Sequence, residues 1–328
     1  MGWDSSPPCR RRAAARTAGV TAWRCFAPAK LNLYLHVTGR RADGLHYLDS
    51  LVAFADIGDE IQVAPAPVTS LTVTGPFAAS LDGAPRDNLV WRAADALASR
   101  LGRHDGAAIT LVKNLPVASG IGGGSSDAAA CLRALAAMWN CPDRYLLMAV
   151  AATLGSDVPA CLVARPVWLG GIGDEVAPAA PLPACGIILV NPKIPLPTAA
   201  VYRVFGGEFS LRRRFNIPSD IFEFSTILSD HDNDLTGAAI GLMPAIGAVL
   251  ARLARADQCL LARMSGSGAT CFALFPDHAA AIAAADTLRA ERSNWWVAAA
   301  TLAGDGAAAK CGRVALLHGD FAEKPYNA

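Results

Sequence analysis

No apolar run in this 328-residue sequence approaches the roughly 18 residues that a membrane span requires, because charged, polar or Gly/Pro residues interrupt each candidate. An excess of one charge sign is also missing. Charged residues make up 17% and the formal net charge is +1, so neither a nucleic-acid nor an anionic-membrane surface is expected. The nine cysteines (9, 25, 131, 141, 161, 185, 259, 271 and 311) contain no C-x-x-C pair, and no histidine falls at ligand spacing beside them. This pattern argues against a structural zinc site and reads as buried free thiols in a reducing cytoplasm, not a disulfide framework. Three nucleotide signatures are absent as well. No lysine follows a glycine, which excludes the Walker loop. The dinucleotide fingerprint fails because Gly120-x-Gly122 runs on to Ser125, and without H-R-D or D-F-G the chain is no protein kinase.

What is present suits a large, well-packed globular chain. Hydrophobic residues reach 53%, and the length accommodates two compact units. Residues 1–23 are set apart as a disordered basic tail, with Arg10, Arg11, Arg12 and Arg16 against the single acid Asp4; an organelle transit segment is the alternative. Apolar alternation at Leu31, Leu33, Leu35 and Val37 predicts a strand over 26–39, which places Lys30, Asn32, Tyr34 and His36 together on its other face. Short strands are expected near 51–55, 60–64, 70–74 and 108–113, with helices over 88–100, 126–139 and 143–154. The alternation continues to the end, so the fold class is α/β (α+β). Pro178, Pro181 and Pro183 mark a linker between units at 24–178 and 184–315, with late strands returning to the first unit and a tail at 316–328. The Arg212-Arg213-Arg214 run reads as a solvated surface loop.

The strongest chemical signal is Pro116-Val117-Ala118-Ser119-Gly120-Ile121-Gly122-Gly123-Gly124-Ser125-Ser126-Asp127. Four glycines in five positions let backbone approach a ligand, with Gly123 the expected point of closest approach. Helical spacing at Leu132, Leu135, Met138 and Trp139 follows at once. Strand, glycine loop and helix N-terminus together form an anion-binding device, which reads as a phosphate site.

These residues carry a resemblance. The glycine segment resembles the central motif of the GHMP kinases, Ala27-Pro28-Ala29-Lys30-Leu31-Asn32-Leu33 their first motif, and Arg263-Met264-Ser265-Gly266-Ser267-Gly268-Ala269-Thr270 their third. Val37-x-Gly39-x-Arg41-x-Asp43-Gly44-x-His46 is similar to the 4-diphosphocytidyl-2-C-methyl-D-erythritol kinase family. So are Leu154-Gly155-Ser156-Asp157-Val158-Pro159, Asn191-Pro192, Pro197-Thr198 and Asn233-Asp234-Leu235. The resemblance implies two domains with the active site in the cleft between them, and ATP-dependent phosphorylation of a cytidine-diphosphate sugar alcohol in isoprenoid synthesis. It implies a cytoplasmic enzyme, monomer or homodimer, using ATP and Mg²⁺.

By the same resemblance, Lys30 and Asp157 form the catalytic pair, with Asp157 taking the hydroxyl proton. Residues 116–126 bind ATP, Asn32 and His46 bind the acceptor, and Ser265, Gly266, Ser267 and Gly268 support the phosphate loop. Ser125 or Ser126 is the candidate for holding Mg²⁺. Leu45 stands where relatives carry an aromatic ring, and Tyr47 or Phe26 is the ring offered in its place. Read from position alone, Asp157 would be a helix cap after Gly155 and Lys30 a solvated strand lysine. The alternatives are a homoserine or mevalonate type of kinase, a diphosphomevalonate decarboxylase, and an inactive nucleotide-binding regulator.

Overall fold

The computed structural model describes residues 20–81, 83–302 and 309–316. The two expected tails lie outside the described residues except at their inner ends, and there the expectation is corrected. Residues 20–23 already belong to a strand, and Leu316 ends one.

Twelve strands and nine α-helices follow along the described chain. The first unit runs β1 (Val20–Asn32), β2 (His36–Arg40), β3 (His46–Ala66), β4 (Ser70–Thr74), α1 (Leu89–Arg100), β5 (Gly106–Val112), α2 (Gly123–Met138), α3 (Arg144–Leu154), α4 (Val158–Val163), β6 (Val167–Gly170) and β7 (Glu175–Pro178). After a coil at 179–185 come β8 (Gly186–Asn191), α5 (Thr198–Val204), α6 (Ile221–Ser229), α7 (Thr236–Leu242), α8 (Ala245–Leu253), β9 (Leu261–Met264), β10 (Cys271–Phe275), α9 (His278–Glu291), β11 (Trp296–Thr301) and β12 (Cys311–Leu316).

One sheet has the order β12-β1-β3-β5-β4, with β2, β6 and β7 branching from it; the other has the order β11-β8-β10-β9. The last strand therefore returns to the first sheet, pairing antiparallel with β1 from Val20↔Leu316 to Cys25↔Cys311. That register brings Cys25 and Cys311 together as a cross-strand disulfide, which corrects the reading of free thiols for this pair; the other six described cysteines are free. The strands expected at 51–55 and 60–64 are one strand, β3. Gly58 lets it pass close to β1, since a Cβ there would lie 2.2 Å from the Ala27 carbonyl oxygen.

Side-chain alternation sets the layering. On β8, Ile188 and Val190 join the helical core of α7, α8 and α9, while Ile187 and Leu189 face the other way. There they meet Leu31, Leu51 and Ala53 of the first sheet, with Leu33, Phe224, Phe272 and Leu274. A third core joins α1–α4 to the outer face of the first sheet through Phe54, Ile61, Leu111, Leu132 and Leu135. The order is helix, sheet, sheet, helix, and both central strands of the second sheet are buried on both faces. Each fully buried Phe or Leu in the shared layer contributes about 1.5–3 kcal/mol, so the two sheets are held face to face by hydrophobic burial.

Candidate active site

A cleft of about 1210 Å³ opens at the ends of these layers, lined by residues of both units from Lys30 to Ser267. One ligand pocket typically takes roughly 300–1,000 Å³, so this cleft has room for two substrates.

The glycine loop forms one wall. Helix α2 starts three residues earlier than the sequence spacing predicts, at Gly123, because Gly122 adopts the left-handed conformation (φ 62°) that turns loop into helix. Ser126 N–H is the first to bond back, to Gly122 O at 2.8 Å. The amides of Gly123, Gly124 and Ser125 therefore lie outside the helix ladder, at the positive end of its dipole. Gly120 is equally constrained, with φ 74° and room for no side chain: a Cβ there would lie only 2.5 Å from the Gly268 carbonyl oxygen. Pro116, Val117, Ala118, Ser119, Gly120, Gly122, Gly123, Gly124 and Ser125 line the cleft. Ile121 and Ser126 do not: Ile121 packs in the shared core, and the Ser126 hydroxyl donates to Pro28 O at 2.7 Å.

Lys30 reaches the same place from β1. Its side chain is 5% exposed and its ammonium lies 2.9 Å from Asp157 Oδ1. Asp157 occupies the N-cap position of α4 yet accepts no capping hydrogen bond, so its carboxylate is turned to Lys30 and the cleft. Neither the plain cap nor the solvated strand lysine fits this geometry. Asn32, two residues on, shares the face as the alternation predicts. Its Nδ2 donates to Ser50 at 2.8 Å, while its buried Oδ1 lacks a partner. The expectation fails for Tyr34 and His36. The chain leaves the strand at Leu33 and re-forms as β2, turning both rings into an aromatic cluster with His231 and Phe215.

Beneath the loop lies a charge cluster that the sequence does not announce. Lys113 donates to Asp59 and, at 2.9 Å, to Asp127, all three being buried. Asp59 Oδ1 in turn accepts the amides of Asn114 (2.5 Å) and Leu115 (2.8 Å). The cluster thus holds both ends of the glycine loop, Asn114–Leu115 before it and Asp127 after it. Burial pushes the Asp127 carboxyl well above the usual carboxylate range against the pull of Lys113.

The third motif backs the loop. The Ser265 hydroxyl donates to Gly120 O at 3.0 Å, Thr270 N–H donates to Ser119 O at 3.0 Å, and Asn233 Nδ2 donates to Met264 O and Gly266 O. Gly266 and Ser267 reach the cleft; Ser265 and Gly268 stand behind it.

At the opposite end His46 lies against Tyr202 of α5, ring centroids 5.2 Å apart and planes inclined by 29°, with Phe205 edge-on at 5.9 Å. Burial, then the charge of Arg40, lowers the His46 pKa, so its imidazole is neutral at pH 7. Of the rings near this end, Tyr202 lines the cleft together with Leu45, and neither Tyr47 nor Phe26 does. Tyr47 is 43% exposed against Gly39, and Phe26 packs at Gly58. The only sequence signal for Tyr202 is an aromatic four residues after the Pro197-Thr198 pair. The arginine run is an exposed loop, as expected, and it is also tethered: Arg212 Nε and the Arg213 amide donate to Asp49, which is buried and also accepts from Tyr34. These bonds fasten the loop to β3.

The arrangement offers an anion site at a helix terminus, a carboxylate paired with an ammonium beside it, and an aromatic recess beyond. Such parts suit phosphoryl transfer to a hydroxyl, where positioning and charge stabilisation do most of the work.

Comparison with known proteins agrees. Residues 88–165 match the GHMP kinases N terminal domain and residues 219–294 the GHMP kinases C terminal domain. The chain is 47% identical over 286 residues to 4-diphosphocytidyl-2-C-methyl-D-erythritol kinase of Paramagnetospirillum magneticum, covering 86% of this chain and 99% of that one. A crystal structure of 4-(cytidine 5'-diphospho)-2C-methyl-D-erythritol kinase superposes with a TM-score of 0.70 at 34% identity, over 86% of this chain and 99% of the other. Homoserine kinase from Cytophaga hutchinsonii superposes with a TM-score of 0.68 at 16% identity, over 90% and 98%, a likeness of fold alone. The chain belongs to the GHMP kinases, and among them to the 4-diphosphocytidyl-2-C-methyl-D-erythritol kinases.

Proposed function

We propose that this enzyme transfers the γ-phosphoryl group of ATP to the 2-hydroxyl of 4-diphosphocytidyl-2-C-methyl-D-erythritol, in non-mevalonate isoprenoid synthesis. The observation that carries the site assignment is the Lys30–Asp157 pair at 2.9 Å, uncapped and facing the cleft beside the start of α2. The amides of Gly123, Gly124 and Ser125 receive the ATP phosphates. The apolar end of the cleft, with Leu71, Val73, Leu81 and Leu89, receives the adenine. Asp157 takes the proton of the acceptor hydroxyl as its oxygen bonds to the γ-phosphorus. The bond from that phosphorus to the bridging β–γ oxygen breaks, and ADP leaves. Lys30 pairs with the Asp157 carboxylate at 2.9 Å and faces the charge of the transferring group. Asn32 Oδ1, buried without a partner, is positioned to accept a hydrogen bond from the acceptor.

The residues also fit Mg²⁺. Ser125 lines the cleft, while the Ser126 hydroxyl donates to Pro28 O and Asp127 Oδ2 accepts from Lys113. Ser125 would hold the ion together with phosphate oxygens and water, and the ion would neutralise charge on those phosphates. A reaction that draws on ATP suits the cytoplasm.

The acceptor end favours a nucleoside diphosphate over the small acceptors of the homoserine or mevalonate type. His46 and Tyr202, packed against each other, offer an aromatic surface for a flat base, and Arg40 and Arg203 line the same end, suited to a diphosphate. One stacked base is typically worth ~1–3 kcal/mol, so hydrogen bonds must carry the choice of cytosine. Steady-state rates on the cytidine-diphosphate sugar alcohol, its uridine counterpart and the free sugar alcohol test this. The cytidine form is expected to react best by at least tenfold, and His46→Ala should erode that preference without changing ATP affinity. Equal rates on all three would remove the acceptor assignment.

A further inference from the structure

Arg133 on α2 is a cation with no carboxylate beside it among the described residues. Its partners are backbone carbonyls instead. Nη1 donates to Cys161 O at 2.8 Å and approaches Leu162 O at 3.5 Å; Nη2 donates to Phe26 O at 2.9 Å. Its Nε is buried with no partner. Even half-buried, a guanidinium without a counter-ion is costly, and a hydrophobic residue would fill much of the same position more cheaply.

The three carbonyls belong to two elements, and each of those elements carries half of the proposed reacting pair. Phe26 lies four residues before Lys30 on β1. Cys161 and Leu162 form the last turn of α4, whose N-cap position is Asp157. The final carbonyls of a helix lack intrahelical partners, so a cation there satisfies them and opposes the negative end of the dipole. Arg133 itself rides on the helix that begins with the phosphate loop. One side chain therefore ties together the three elements that present the phosphate site, the ammonium and the carboxylate.

We propose that Arg133 is a positioning residue that sets the separation of Lys30 and Asp157 by fixing the C-terminal turn of α4 to β1. The proposal rests on the reading of Asp157 as proton acceptor. It acts through placement: a misplacement of about 1 Å in a reacting group can cost 10²-fold in rate. The guanidinium spans two elements at once, which a lysine ammonium on a shorter reach does less well.

A double-mutant cycle decides it. Arg133→Met in the wild-type background should lower kcat at least tenfold, with KM for ATP within about threefold, because the loop is held separately by Lys113, Asp59 and Ser265. Arg133→Lys should recover part of kcat. In the Asp157→Asn background, where there is no base left to misplace, Arg133→Met should cause little further loss. An equal fractional loss in both backgrounds, or a loss confined to KM, would make Arg133 an ordinary structural residue and overturn the proposal. If Arg133→Met does not yield folded protein, the same cycle is run with Arg133→Lys and judged by the same criterion. Asp157→Asn alone reports on the proton acceptor, so failure of that assignment is read separately from failure of the clamp.

Discussion

Asp157→Asn is expected to lower turnover by at least ~10²-fold while ATP still binds, the lower end of what general-base catalysis supplies. That factor corresponds to about 2.7 kcal/mol of barrier. The substitution keeps the shape of the side chain and removes its ability to take a proton. Because Asp157 accepts no capping hydrogen bond, α4 loses no cap with it, so a fall in rate reports chemistry and not helix stability. The nucleotide amides lie on α2, a different element, which is why binding should be spared. Single-turnover phosphorylation with binding measured in parallel separates the two. A variant with near-normal turnover would leave Asp157 as a surface carboxylate that happens to meet Lys30.

Gly122→Val is expected to raise the dissociation constant for ATP by at least ~100-fold in a protein that still folds. Two independent causes act at this position. The left-handed φ of 62° is strongly disfavoured for a β-branched residue, at a cost of order 1–3 kcal/mol for such strain. A Cβ there would also lie 2.9 Å from the Lys30 Cβ, so the loop or the lysine must move. Either movement disturbs the amides that follow. The sequence singles out Gly123 instead, but Gly123 sits in the first turn of α2, and a Cβ there would come no nearer than 3.1 Å, to the Lys113 ammonium, with Asp59 Oδ2 at 3.8 Å. Calorimetry on soluble Gly122→Val tests this, and unchanged ATP affinity would contradict the placement of the phosphates.

How much of this was legible in the sequence follows from the range of the signals. Lys30 and Asn32 share a face because strand alternation is local, and it held for as long as the strand did. Tyr34 and His36 escaped it because the backbone turns at Leu33, a tertiary choice that lets both rings join His231, nearly two hundred residues on. The glycine loop, its helix and the kinase family were legible because their residues are contiguous. The Lys113–Asp59–Asp127 cluster was not, since its partners stand 54 and 14 residues apart. Tyr202 was hidden for the same reason: it packs against His46, far away in the sequence. The exposure of the arginine run was legible but its tether was not, since Asp49 lies on β3, 163 residues away.

The central claim is that the cleft joins ATP to a cytidine-diphosphate sugar alcohol. Its most direct test is ADP release by the purified enzyme with 4-diphosphocytidyl-2-C-methyl-D-erythritol, homoserine or mevalonate as acceptor, with the product located by phosphorus NMR. Turnover with the first acceptor alone, with the new phosphate on its 2-hydroxyl, is the expected result. Turnover with homoserine or mevalonate, or ATP binding without transfer to any of the three, would contradict it.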